Sequence, residues 1–378
     1  LDLLAGSPRL GPEADRLAAR LALDLGRPLV AAEALAAADS ADADAQFLLG
    51  RSLEALGDLR SAEGAYGRSV RADSGEAATA ALAALVVRRN PREAIPLYRA
   101  LVARDSLSPA RLGALGRALA DADSFHRAAP ILEQAFYLYP RNEATAVALA
   151  RVWDGTPMLP AHLDQALRAL PRSPELWRRS GADRMRRGQM DFAVDAYRNA
   201  LAYDDSTASR LRDLGVALFY AGERAEALGV LRESLARDST DATTLRVAGF
   251  AAHAENETDE ALDYLARAAD EIGRLALADL AEQTARVYTE ILRDDGALRQ
   301  IALAEALEPE RATIVLNRAM LLQQIGRLPL ALAAFREFVA RAGPMDEQYV
   351  PLAEERIEML VDIERRRVEA DLRRRLNE

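Results

Sequence analysis

Few residues in this chain have the type and spacing to do covalent chemistry. Cysteine is absent, which removes disulfides, thiolate metal sites and cysteine nucleophiles together. The three histidines, His126, His162 and His253, contain no pair four residues apart, so no histidine-built zinc or haem site is expected. There is no phosphate loop, nucleophile elbow, HExxH pair or calcium-binding loop. Carboxylates are abundant, at 59 of 378 residues, but they are spread over nearly every helical stretch, the pattern of a solvated surface. No metal, no cofactor and no enzymatic activity are expected. What does recur is arginine: Arg178, Arg212 and Arg246 stand at intervals of 34 residues, with Arg186, Phe219, Tyr220, Phe250 and His253 close by. Guanidinium forks grip carboxylates or phosphates through two hydrogen bonds, and arginine beside aromatics is the composition of interaction hot spots. That chemistry is recognition.

The elements that position these residues follow from internal repetition. An alanine slot runs Ala31, Ala62, Ala94, Ala128, His162, Ala193, Ala227, Ala261, Ala297 and Ala331, in steps of 31 to 36 residues. Twelve positions before it stands a Gly or Ala in nine of ten cases, among them Gly50, Gly116, Gly181, Gly215 and Gly249. Four positions after it stands a larger residue in nine of ten cases, such as Tyr66, Leu132, Tyr197, Leu231 or Phe335. Small residues facing one another would let two antiparallel helices approach closely, with the larger residue filling the next layer. Gly26, Gly57, Gly188, Gly222 and Gly326 sit where the first helix of each pair must stop, and Pro140, Pro174 and Pro309 precede the next pair. Such hairpins cannot bury their apolar faces alone and must stack.

This pattern resembles the tetratricopeptide repeat, W-x2-L-G-x2-Y followed by A-x3-F and a late Pro. Leu115, Gly116, Ala128, Leu132, Ala135 and Pro140 match it with the family's spacing, as do Trp177, Gly181, Ala193, Tyr197 and Ala200. The expected fold class is all-α, a right-handed alpha-alpha superhelix closed by a C-terminal helix. Residues 1–11 read as an N-terminal leader, 12–345 as about ten hairpins, and 346–378 as a helical cap or a helix that pairs with a partner. The unit at 143–173 is degenerate, with His162 in the alanine slot and Pro157 and Pro160 interrupting it. A second irregularity is an insertion around Ile272 to Asp279.

The resemblance also implies a binding face. In the family, the first helix of each hairpin lines a concave groove through positions 2, 5, 9, 12 and 13. With the repeat glycine at position 8, Arg178, Arg212 and Arg246 all fall at position 5. Phe250 falls at position 9, and Arg186, Phe219, Tyr220 and His253 at positions 12 and 13. The family's carboxylate clamp, lysine at position 5 with asparagine at position 9, is not reproduced: position 9 holds Ala182, Val216 and Phe250. Elsewhere the lining is mixed, with Phe47, Arg51 and Glu54 early and Glu282, Arg286 and Glu290 late.

Composition agrees with an interaction module. Hydrophobic residues make up 50% and aromatics 5%, a balance carried by Ala and Leu that favours helix. A net charge of −10 argues against a nucleic-acid partner. The longest apolar run, Ala80 to Val87, is far short of the roughly 20 residues that span a bilayer. All 49 basic residues are arginine, which with the alanine excess points to a GC-rich bacterial source. The chain opens on Leu1 rather than Met, which leaves room for a removed targeting segment, and the compartment is open between cytoplasm and periplasm or secretion. The expected function is a noncatalytic scaffold binding an acidic or aromatic-containing protein segment in its groove. The alternatives are a subunit that self-assembles into an oligomer or filament through its ends or C-terminal helix and, less well supported, an envelope polysaccharide binder using Trp153, Trp177 and the groove tyrosines.

Overall fold

The computed structural model describes residues 11–73, 75–204, 206–271 and 274–377. Residues 1–10 of the expected leader, and Ile272 and Gly273 of the expected insertion, lie outside the described residues. The chain divides into two compact units, Leu1–Asp183 and Arg184–Glu378. Every described regular element is helical. In the first unit the helices pair as α1 (Pro12–Asp24) with α2 (Pro28–Ala34), α3 (Ala43–Ala55) with α4 (Leu59–Ala72), and α5 (Glu76–Arg89) with α6 (Pro91–Arg104). They continue with α7 (Pro109–Asp121) and α8 (Phe125–Leu138), then α9 (Glu143–Val152) and α10 (Leu159–Ala169). Helix α11 (Pro174–Arg186) carries the division between units.

The second unit holds α12 (Met190–Ala202), α13 (Ala208–Ala221) with α14 (Arg224–Arg237), and α15 (Ala242–Ala254) with α16 (Thr258–Glu271). It ends with α17 (Arg274–Glu290) and α18 (Asp294–Leu307), α19 (Ala312–Gln324) and α20 (Leu328–Arg341), and α21 (Val350–Asn377). Within each unit, successive hairpins pack on one another, so the fold class is the all-α superhelix of stacked helix pairs. Ala353, Ile357 and Leu360 of α21 pack into the cluster around Phe335 and Phe338 on α20. No helix among the described residues is long and apolar enough to cross a membrane.

The alanine slot is buried in each hairpin, but the small residue facing it does a different job from the one expected. A Cβ on Gly116 would land 2.5 Å from Leu132, on Gly215 2.6 Å from Leu231, and on Gly249 2.7 Å from Leu265. Glycine therefore receives the large residue four past the slot, not the alanine itself. Leu132 and Leu231 are completely buried by this interlock, each contributing about 1.5–3 kcal/mol of apolar burial. The α17–α18 hairpin reverses the polarity: the Tyr288 ring of the first helix fills the space over Gly296 of the second.

The degenerate unit folds as a hairpin for visible reasons. His162 is buried between the edges of Phe136 and Trp153, with its Nε2 2.8 Å from the Ala146 carbonyl. Burial outweighs that hydrogen bond and pushes its pKa below the usual histidine value, so the ring is a neutral core residue at pH 7. Pro160 lies in the first turn of α10, where a missing N–H is harmless, so it starts a helix rather than interrupting one.

A polar tie joins neighbouring hairpins through position 5. Arg16 donates to Asp42, the N-cap of α3, at 2.7 Å. Arg212 donates to Asp241, the N-cap of α15, at 3.1 Å. Further on the charges exchange places, and Glu282 is gripped by Arg311, the N-cap of α19. Asp241 also accepts from the Thr244 backbone N–H at 2.7 Å and from its hydroxyl at 2.8 Å. Burial raises the Asp241 pKa, but the hydrogen bonds from Thr244 and Arg212 outweigh it and hold the carboxyl below its ordinary value.

Two outcomes follow from these contacts. Gly215→Ala drives a Cβ into Leu231 and should cost about 1–3 kcal/mol, whereas Gly229→Ala, with nothing within 4 Å, should be neutral or gain up to about 1 kcal/mol; urea denaturation reads both. A depressed native pKa gives Asp241 a stabilising contribution that is full above about pH 4 and fades as pH falls through the native value. Asp241→Asn keeps the cap but removes the charge, so its Tm should drop less than that of wild type between pH 7 and pH 3; an equal drop would refute the tie.

Candidate functional site

The first helices of the hairpins in the second unit share one face. On it, α13, α15 and α17 enclose a groove of about 300 Å³. Helix α13 places Phe219 and Tyr220 there, with ring centroids 5.4 Å apart in an edge-to-face arrangement. Arg246, Phe250 and His253 come from α15, one turn apart along one stripe. Gln283, Arg286 and Glu290 close the groove from α17. Arg286 and Glu290 also border a second depression of about 300 Å³ between α17 and α19, beside Asn317 and Met320.

Five of the eight residues expected at a groove thus meet: Phe219, Tyr220, Arg246, Phe250 and His253. The other three do not line it. Arg212 is held by Asp213 at 3.1 Å and by the Asp241 cap. Arg178 lies in the first unit, where Glu175 takes it in a two-pronged pair at 2.8 and 2.9 Å. Arg186, at the last turn of α11, is likewise partnered. The 34-residue series is therefore not a ladder of equivalent cations. Two of its members are neutralised by nearby carboxylates, and one is not.

The reason lies in the next helix. Arg212 finds an aspartate at the N-cap of α15, eight residues before Gly249. The position eight residues before Ala285 is Leu277, which lies inside α17, because that helix begins earlier and runs for 17 residues. No cap carboxylate stands where Arg246 would reach it. Neither Arg246 nor Arg286 has a hydrogen-bond or ion-pair partner among the described residues.

The groove's remaining polar atoms are unevenly satisfied. His253 Nε2 lies 2.7 Å from a Glu290 carboxylate oxygen, while its Nδ1 is buried without a partner. Gln283 Oε1 is buried and unpaired as well. Buried polar atoms of this kind normally have partners, and each one left alone costs about 1–3 kcal/mol. The arrangement can bind an anionic group beside aromatic surface. No group of three or more His, Asp or Glu among the described residues is placed to hold a metal ion.

Arg286 had a readable signal, since it falls at position 9, but the register shift in α17 hid its pairing with the Arg246 stripe. Gln283 carried no signal in the sequence. Trp153 and Trp177 are partly buried against the first unit's core, and the Trp177 indole N–H donates to the Pro171 carbonyl at 2.8 Å.

Comparison with known proteins bears on this architecture. Residues 16–78 match the family model described as tetratricopeptide repeat. The search of curated proteins found no match. Among solved structures, the C-terminal part of a TPR repeat-containing protein from Cytophaga hutchinsonii is 16% identical, with a TM-score of 0.50 over 62% of this chain and 97% of that one. The Cut9–Hcn1 hetero-tetramer of APC/C is 14% identical, with a TM-score of 0.46 over 90% and 83%. YrrB, described as a TPR protein with an unusual peptide-binding site, is 14% identical, with a TM-score of 0.37 over 58% and 97%. The tetratricopeptide repeat model is thus met by the first hairpins, residues 16–78, and the fold of stacked helix pairs is shared with a repeat protein of that family.

Proposed function

We propose that the chain is a noncatalytic protein-interaction scaffold whose second unit holds a partner's peptide in the groove between α13, α15 and α17. Proteins of this family are generally noncatalytic interaction scaffolds. The observation that carries the finer reading is the pair of unpartnered guanidinium groups, Arg246 and Arg286, beside Phe219, Tyr220 and Phe250. A carboxylate on the peptide would engage the two cations, and an aromatic or aliphatic neighbour would stack on the rings. Donors and acceptors of the peptide backbone match the unpaired Nδ1 of His253 and Oε1 of Gln283. The stacked hairpins hold these groups in place before binding, which lowers the ordering cost of association.

Fluorescence polarisation with a panel of acidic peptides bearing one aromatic residue tests this. Arg246→Glu with Arg286→Glu should weaken binding about a hundredfold, while Arg178→Glu, outside the groove, should change it less than about twofold. Equal losses for both variants would point to diffuse charge attraction instead.

A second reading, self-association, has one observation in its favour. Leu17, Leu21, Leu25 and Leu29 are 50–69% exposed on the first hairpin. Leu21 occupies position 10, where Ser52, Ala118, Ala217 and Ala251 are completely buried in their own hairpins. The position that those four hairpins close is here open and leucine-rich. Light scattering behind size exclusion should show the mass rising from 41.1 kDa toward twice that with concentration, and Leu17→Gln with Leu21→Gln and Leu25→Gln should hold it at the monomer. A wild-type monomer at every concentration would dismiss it.

A further inference from the structure

A depression of about 1040 Å³ in the first unit is flanked by the second helices α4 and α6 and floored by α5. Its floor is apolar, with Leu82, Leu85, Val86 and Leu97. Its rim carries Arg60, Arg68, Arg71, Arg88 and Arg89 against Glu63 and Glu93, in a chain whose net charge is −10. Arg89 is shared between Glu63 at 3.0 Å and Glu93 at 2.8 Å, and Arg68 donates to Gln46 at 2.8 Å. Arg60, Arg71 and Arg88 have no side-chain partner among the described residues.

The opening has a local cause in the repeat. Five residues past the alanine slot, α12 carries Arg198 and α14 carries Arg232, and each spans to the second helix of the next hairpin. Arg198 meets Glu226 at 2.8 Å, and Arg232 meets Glu260 at 3.0 Å. The same position on α4 is Gly67, with Gly64 one turn before it. A Cβ on either glycine would meet nothing nearer than the tips of Arg68 and Arg71, at 3.6 and 3.5 Å. Where α12 is strapped to α14 and α14 to α16 across this surface, α4 and α6 leave an apolar trough with the arginines of α4 and α5 at its rim. A volume at the upper limit of small-molecule pockets suits a polypeptide segment.

We propose that this trough is a second binding site, which takes an acidic amphipathic helix of a partner protein. The occupant's charge follows from the three unpaired guanidinium groups, and its apolar face from the leucine and valine floor. That it is a helix follows from the walls: α4, α5 and α6 satisfy their own backbone groups, so they offer nothing to an extended strand. A strand laid over Leu82 and Val86 would leave its N–H and C=O groups dry and unpaired, whereas a helix arrives with them already bonded. Gly64 and Gly67 let its backbone approach α4 closely. Glutamates flanking its apolar stripe then meet Arg60 and Arg71 on α4 and Arg88 at the end of α5.

The test uses the full chain and a labelled synthetic helix of about 16 residues, with leucines on one face and glutamates on both flanks. Beside it run an isomer scrambled to destroy the stripe and a version with lysine for glutamate. Wild type binds the first peptide and binds the other two at least about tenfold more weakly. Gly67→Arg closes the trough and restores the missing strap, so it loses at least about tenfold in affinity while its Tm is unchanged or higher, which separates a blocked site from a damaged fold. Arg60→Glu with Arg71→Glu and Arg88→Glu loses as much, and Arg246→Glu with Arg286→Glu loses nothing, which keeps this site distinct from the peptide groove. Binding indifferent to Gly67→Arg, equal binding of the scrambled peptide, or no binding of the striped peptide to wild type overturns the proposal.

Discussion

Everything in this molecule depends on how closely the two helices of each hairpin can approach. That distance is set where a residue with no side chain meets one with a large side chain: Gly116 under Leu132, Gly215 under Leu231, Gly249 under Leu265. A Cβ in any of these places would sit inside the van der Waals radius of its neighbour, and the pair would have to splay. The cores are rich in alanine, and alanine buries little apolar area per residue, so the few fully buried leucines, tyrosines and phenylalanines carry a disproportionate share of the cohesion. Close approach is what allows such a lean core to hold together.

Once the hairpins stack, charged residues at fixed columns become ties between them. The tie is a relation between two columns and not a property of one residue, as the exchange from Arg212–Asp241 to Glu282–Arg311 demonstrates. The two candidate binding surfaces both arise where a tie is missing. Arg246 is free because α17 starts early and brings no cap carboxylate to it, and in the trough between α4 and α6 Gly67 stands where α12 and α14 carry a spanning arginine. Where both columns of a tie are filled the charges satisfy one another, and at these two places a missing partner leaves cations to be satisfied by something else.

The hairpins, their order and their turns were readable from the sequence because each rests on steric features that repeat: the buried slot, the large residue after it, and a glycine with positive φ at Gly26, Gly57, Gly188, Gly222 and Gly326. The residues of the candidate groove were readable only in part. Phe219, Tyr220, Phe250 and His253 share a face by helical periodicity alone, which a sequence displays directly. Which arginine is free is a different kind of question, since Arg178, Arg212 and Arg246 are identical in type and column and differ only in the carboxylates around them. The same limit applies to His162, where a polar residue in an apolar slot is explained by Phe136, Trp153 and the Ala146 carbonyl, none of them adjacent to it in the chain.

The hairpin of α17 and α18 departs from the repeat more than any other in the second unit, and it forms one wall of the groove. Its first helix is lengthened to 17 residues. Its interlock is reversed, with Tyr288 reaching from the first helix over Gly296 of the second. Its turn places Leu292 at φ 56°, where the hairpin of α13 and α14 uses Gly222 and that of α15 and α16 uses Asn256. A left-handed leucine costs about 1–2 kcal/mol, and it is 85% exposed, so no packing of its side chain offsets that strain. Reversing the interlock moves the bulky ring to the helix that also carries Arg286 and Glu290, which ties the orientation of that helix to the seating of Tyr288. The other turns with a non-glycine at positive φ use Asp123 and Asn256, residue types that visit this region readily, so the costlier leucine falls in the hairpin that presents the candidate groove's second cation.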